Sequence, residues 1–186
     1  GVVEAGAQGL AETAEGAQGG VAVLATVGTC ASNAYPKAIA KVTGRPVRQL
    51  GSASLAAAIE GDPSVTTPVR DIIRADVGAF LKSAAADGAA PFDTLVLGCT
   101  HYVFVEKDLR QLLGPDVQLV STGEPVARQT QRLLAAAQLL NKGKTDGAAQ
   151  PVRLLTTGDL QGLQAAAKRW LGLPPEVCGA VPALLG

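Results

Sequence analysis

The sequence predicts an α/β protein, built on a parallel sheet with helices on both faces and followed by a further strand–helix unit. Three observations lead there. Short apolar runs recur along the chain, segments with helical spacing separate them, and the runs are continuous enough for strands buried on both faces. The 186 residues suffice for one large domain or two small ones. With 47% apolar but only 3% aromatic residues, the core must be built from Ala, Leu and Val.

The first strand is read at 21–26, "VAVLAT". In "SNAYPKAIAKV", Ala38, Ile39 and Val42 fall at helical intervals. A weaker strand, "PVRQLGS", follows at 46–52. "VRDIIRADVGAFLKSAAA" carries Val69, Ile72, Ile73, Val77 and Phe80 on one stripe and predicts a long helix. "DTLVLGCT" (93–100) is the next strand, then the helix "FVEKDLRQLLG", for which Gly114 is a natural stop. "VQLVS" (117–121) and the helix "EPVARQTQRLLAAAQLL" repeat the unit. Such alternation gives a flavodoxin-like parallel sheet. The polar stretch 141–150 reads as a linker. Beyond it "VRLLTT" (152–157) and a helix capped by Asp159 form a unit too small to bury itself, which must dock elsewhere.

Sixteen basic and sixteen acidic residues cancel without long like-charge runs, which disfavours nucleic acid and anionic membranes as partners. A small-molecule ligand is the better expectation. No apolar stretch approaches the ~18 residues of a membrane span. Cys30, Cys99 and Cys178 are too scattered for a disulfide framework, so a reducing cytoplasm is expected. The chain contains no methionine and opens on "GVVEAG", from which part of the natural N-terminus is expected to precede Gly1.

In an open parallel sheet, ligands bind beyond the carboxyl ends of the strands. Two such ends carry chemistry. At "ATVGTCASNAY", Thr26, Thr29, Ser32 and Asn33 crowd a strand-to-helix turn, where hydroxyls and free N–H groups suit a carboxylate or phosphate. Plain helix capping accounts for the same residues. At "LGCTHY", Cys99 sits at a strand end and before a helix, where the dipole favours thiolate. His101, the only histidine, is placed to exchange a proton with it, and Gly98 to let a ligand approach the backbone. A buried structural cysteine is the other reading.

Zinc is disfavoured, because Cys-x-His is not a usual ligand spacing and no second close pair completes four ligands. No metal is therefore expected. Cys30 and Cys178 read as packing residues. The absence of G-x-G-x-x-G and P-loop patterns leaves nucleotide binding without support.

"LGCTHY" resembles a motif of the glutamate racemases, members of the aspartate/glutamate racemase superfamily. "GVVEAGA" resembles that family's entry into its second domain, and Thr26, Thr29, Ser32 and Tyr35 match its T-x-x-T-x-x-S-x-x-Y loop. "SASLAAAIE" resembles a stretch ending in a functional glutamate, here Glu60, and "LLTTGDLQGLQ" the returning C-terminal element. The resemblance implies two-base chemistry without a cofactor, in which one thiol removes the α-proton of glutamate and another returns a proton to the opposite face. It implies Cys99 as one acid/base, His101 assisting it, and Glu60 orienting or charge-balancing the imidazole. Thr100 and His101 would contact substrate, and Thr26 and Thr29 would hold a carboxylate.

It also implies a second racemase domain at 1–123, a closing segment of a similar first domain at 124–186, and a homodimer making D-glutamate for peptidoglycan. Departures are plain. The "D-S-G" loop and the "N-T-A" loop with the other thiol do not occur here, "VSTG" lacks an acidic residue, and Val103 replaces a proline. An aspartate racemase of the same superfamily and a non-catalytic module that binds an acidic ligand or a partner remain as alternatives. A Cys–His hydrolase is disfavoured for want of an oxyanion loop.

Overall fold

The computed structural model describes residues 1–13, 18–88, 91–141 and 152–182. Two compact units divide the chain, Gly1–Leu140 and Asn141–Gly186. The first is built on four parallel strands, β1 (Gly20–Thr26), β2 (Val47–Ser52), β3 (Phe92–Leu97) and β4 (Gln118–Ser121), in the order β2-β1-β3-β4. The apolar run at 21–25 takes a central position because every one of its residues is buried. Its register sets Val21 beside Val47 and Leu24 beside Leu50 on one side, and Leu24 beside Leu97 on the other. The parallel sheet with flanking helices is the architecture that the alternation predicted.

The long helix forms over the expected span, α5 (Val69–Ala86), and its stripe Ile72, Ile73, Val77 and Phe80 is buried. Before it in the chain come α1 (Val2–Thr13), α2 (Val27–Ala31), α3 (Ala34–Val42) and α4 (Leu55–Glu60); after it come α6 (Glu106–Leu113) and α7 (Gly123–Ala136). The sequence had left α1, α2 and α4 unassigned. The two shortest hold five and six residues, too few for a periodic stripe to be read.

The 123/124 division implied by the resemblance falls at the start of α7. That helix packs on α1: Arg128 bonds Glu12 at 2.8 Å, and a Cβ at Gly9 would stand only 2.8 Å from the Pro125 Cβ. Glycine is required there because helix and proline ring touch.

At the amino edge of the sheet Arg45 acts as a brace. Its guanidinium donates to the carbonyls of Gly19 (2.9 Å) and Gly20 (3.2 Å) and to Thr94 Oγ1 (3.0 Å), and it pairs with Asp93. Asp93 also accepts from Gly19 N at 2.7 Å.

The second unit pairs β5 (Leu154–Thr156) in parallel with β6 (Cys178–Ala180), a strand the sequence did not suggest. Asp159 caps α8 (Leu160–Ala166) as expected, accepting from the backbone N–H groups of Gln161 and Gly162. Among its described residues only Ala167 is a buried hydrophobic, so this unit has almost no core of its own. Most of the expected linker, 142–150, lies outside the described residues. Among the described residues no helix is long and apolar enough to cross a membrane.

Candidate functional site

The carboxyl edge of the sheet collects the predicted residues of the first unit. Thr26 ends β1, Ser52 ends β2, and Cys99 follows β3 by two residues. The Ser52 hydroxyl accepts from Leu55 N at 3.2 Å and so starts α4. That helix ends on Glu60, where Gly61 turns the chain with φ 82°, a left-handed conformation suited to glycine. Glu60 is thereby delivered to His101: the ion-pair distance from Nε2 to Oε1 is 2.7 Å. On its other side His101 Nδ1 lies 3.5 Å from Cys99 Sγ. A thiol, an imidazole and a carboxylate therefore form one continuous chain.

A carboxylate can only accept, so the 2.7 Å approach of Glu60 Oε1 to Nε2 is compatible with the tautomer that carries hydrogen on Nε2. In that tautomer Nδ1 presents its lone pair to the thiol. The Glu60 side chain is 62% exposed. Such an exposed pair adds little to stability.

The helix expected immediately after Cys99 is not an α-helix. Residues Tyr102–Val105 form a 3-10 turn, and α6 starts only at Glu106. The dipole argument for Cys99 therefore loses its basis, since the effect fades beyond the first turn of a helix. The imidazole of His101 remains as its polar neighbour.

Gly98 also has a packing reason to be glycine. Its vacant side faces inward, where a Cβ would meet Tyr35 Cε2 at 2.9 Å and the side chains of Ala25 and Val23 at 3.1 Å. Glycine here lets the strand end lie on Tyr35. The Tyr35 hydroxyl is pushed up to about 12 by burial and then by nearby Cys99, so it stays neutral. Tyr102, fully buried beneath the same turn, is raised for the same two reasons.

In the Thr-rich loop, Thr26 caps α2 by accepting from Thr29 N at 3.3 Å, and the two hydroxyls are 3.0 Å apart. Capping is thus one of their functions. One hydroxyl hydrogen is used between the pair, which leaves the other to donate outward. Ser32, at the surface, uses its hydroxyl locally: it donates to the Thr29 carbonyl at 2.6 Å and accepts from Ala34 N at 3.2 Å. Gln49 on β2 holds the loop from below, donating to the Cys30 carbonyl (3.1 Å) and Asn33 Oδ1 (2.9 Å). No local signal could have found Gln49, because only strand pairing brings it under the loop.

Cys30 Sγ would lie 3.5 Å from a Cβ at Gly51, so it packs on β2. Burial pushes its thiol up, and the Ala25 backbone only partly opposes this. Thr100 is exposed beside His101, and Cys178 is half-buried in the second unit. Among the described residues no cluster of three or more His, Cys, Asp or Glu side chains could hold a metal.

Fold and site together define a parallel α/β protein with a thiol, an imidazole and a carboxylate in line at the carboxyl edge of its sheet. The proteins it is similar to are glutamate racemases. No family model matches the chain. The glutamate racemase of Herpetosiphon aurantiacus is 39% identical over 142 residues, covering 76% of this chain and 52% of that protein. That of Ralstonia nicotianae is 37% identical over 157 residues, 83% of this chain and 52% of that protein. Among solved structures, a glutamate racemase isoform from Bacillus anthracis superposes with a TM-score of 0.78 at 28% identity, covering all of this chain and 64% of that one. The chain spans about half the length of the curated relatives it matches, 52% for the two named here.

Proposed function

We propose that this chain supplies one half of a cofactor-independent glutamate racemase that makes D-glutamate for peptidoglycan in the cytoplasm. The observation that carries this reading is the continuous chain Cys99–His101–Glu60 at the sheet edge. The α-proton of an amino acid is a very weak acid, so its removal needs a base within hydrogen-bond reach and stabilisation of the carbanion. Cys99 thiolate takes that proton on one face of glutamate, its own proton having passed to His101. Glu60 holds the imidazolium in place.

The free hydroxyl hydrogen of the Thr26–Thr29 pair and the side chain of Thr100 bind substrate carboxylate. An opposing thiol returns a proton to the other face. Cys30 is unsuited to that part, being packed on β2, so we place the second thiol in sequence outside these 186 residues. On this reading residues 1–123 form the second domain of the enzyme, residues 124–186 close a first domain, and two complete copies form a homodimer.

The test uses deuterium oxide. The chain alone should give no measurable racemisation of either enantiomer, monitored by circular dichroism. Combined with the missing half it should invert glutamate, with deuterium entering the α-position. If Cys99→Ser in the completed enzyme leaves both directions at their original rates, the assignment of the thiol fails.

A further inference from the structure

Away from the sheet edge just described, two hollows lie on either side of Leu112, between α5 and α6. The larger, about 600 Å³, is lined mainly by apolar groups, among them Leu81 and Ala85 of α5, Leu113 of α6 and Phe92, and also by Arg48, whose charge is matched by Asp87 at 2.7 Å. The smaller, about 120 Å³, is lined by Arg70, Arg74 and Gln111, with Asp108. Leu112 forms a wall of both. Arg74, Leu81 and Ala85 lie along one helix, so the basic and apolar ends are separated by roughly 10–16 Å at the helical rise.

The charges are unequal. Arg70 donates to Asp108 at 2.7 Å, but Arg74 has no ion-pair partner among the described residues. One guanidinium is therefore left over at the polar end. At the other end Leu81 and Leu112 remain 42% and 40% exposed although they flank a cavity. An uncovered apolar slot beside an uncompensated cation calls for an amphiphile. The slot reaches from Leu81 and Leu112 on the helices to Gly20 and Val21 at the start of β1, a path along which an extended alkyl chain can lie.

We propose that this groove binds a single-chain amphiphile with an anionic head, the head at Arg74 and the apolar tail along Leu81, Leu112 and Phe92. Arginine presents a planar fork that suits carboxylate and phosphate alike, so the recognised chemistry is an anionic oxygen group on an alkyl chain.

The experiment titrates dodecanoate and dodecyl phosphate, below their micelle-forming concentrations, into the 186-residue chain by calorimetry. Saturable one-site binding of at least one is expected, with octanoate more than tenfold weaker because each buried methylene contributes. Leu81→Lys and Leu112→Lys, at exposed positions, should each weaken binding at least tenfold while leaving the urea midpoint and circular dichroism unchanged. Arg74→Glu should weaken anion binding tenfold but leave decanol binding unaltered. The proposal is overturned by absence of saturable binding, by equal binding to Leu112→Lys, or by chain-length independence. It also fails if the protein is retained by phosphatidylglycerol vesicles without binding the monomers, or if sedimentation shows a dimer that Leu81→Lys dissociates and amphiphiles do not affect.

Discussion

Adding one methyl group at position 98 tests how the reactive thiol is held. In Gly98→Ala the new Cβ would stand 2.9 Å from Tyr35 Cε2 and 3.1 Å from both Ala25 Cβ and Val23 Cγ1. Ordinary van der Waals contact begins near 3.4 Å. The three neighbours are each buried to within 1% and belong to the central cluster, so none can swing into solvent. Either they or the end of β3 must shift by several tenths of an ångström. Overpacking of this kind costs about 1–3 kcal/mol. Urea unfolding should show a lower midpoint with an unchanged slope. Because Cys99 is the next residue, its alkylation rate should change as well. Ala25→Gly, which removes one of the three contacts, should recover part of the loss in the double variant. A Gly98→Ala protein as stable as the parent, alkylated at the parent rate, would show that the strand end is free to move and that Tyr35 does not support it.

Three further variants have expected outcomes. His101→Asn should slow iodoacetamide alkylation of Cys99 at neutral pH roughly tenfold, since the proton acceptor is gone. Glu60→Gln should slow it less, and should change stability by less than about 1 kcal/mol because the pair is exposed; equal alkylation rates in all three proteins would make the imidazole a bystander. Burial opposes ionisation of Asp93, but hydrogen bonds from Thr94 and Gly19 and the Arg45 guanidinium outweigh it and hold the carboxyl below its usual range. Its contribution is therefore complete above the unfolded value near ~3.9 and is lost as pH falls through the lower folded value. Urea midpoints measured down to about pH 2 should fall less steeply for Asp93→Asn than for the parent.

The sheet was legible because its strands are written locally. Apolar runs within 21–26, 93–100 and 117–121 mark the strands, the first two central and buried and the third at the sheet edge, and the stripe from Val69 to Phe80 has the helical period. The weaker run at 46–52 also forms, although Arg48 and Gln49 interrupt it. It lies at the edge of the sheet, where Gln49 supports a loop and Arg48 reaches Asp87. β6 was not legible: three residues of "CGA" carry no strand signal, and only pairing with β5 extends them. The caps behaved similarly. Asp159 could be named from sequence because its partners are two and three residues away. That Ser52 starts α4, and so governs where Glu60 ends up, follows from where β2 stops.

By itself the sequence determined the fold class, the residue types at the loaded strand ends, and the resemblance those residues carry. These depend on periodicity and on neighbours within a few positions, which a linear string records. Only the tertiary structure decided which groups meet. Glu60 and His101 are separated by a helix, a strand and their loops, yet approach to 2.7 Å. Cys99 precedes a 3-10 turn instead of an α-helix start, and the vacant Cβ side of Gly98 faces the core. Hydrogen bonds and close contacts act over a few ångströms in space, and the parallel crossover connections bring such distant residues to one edge of the sheet.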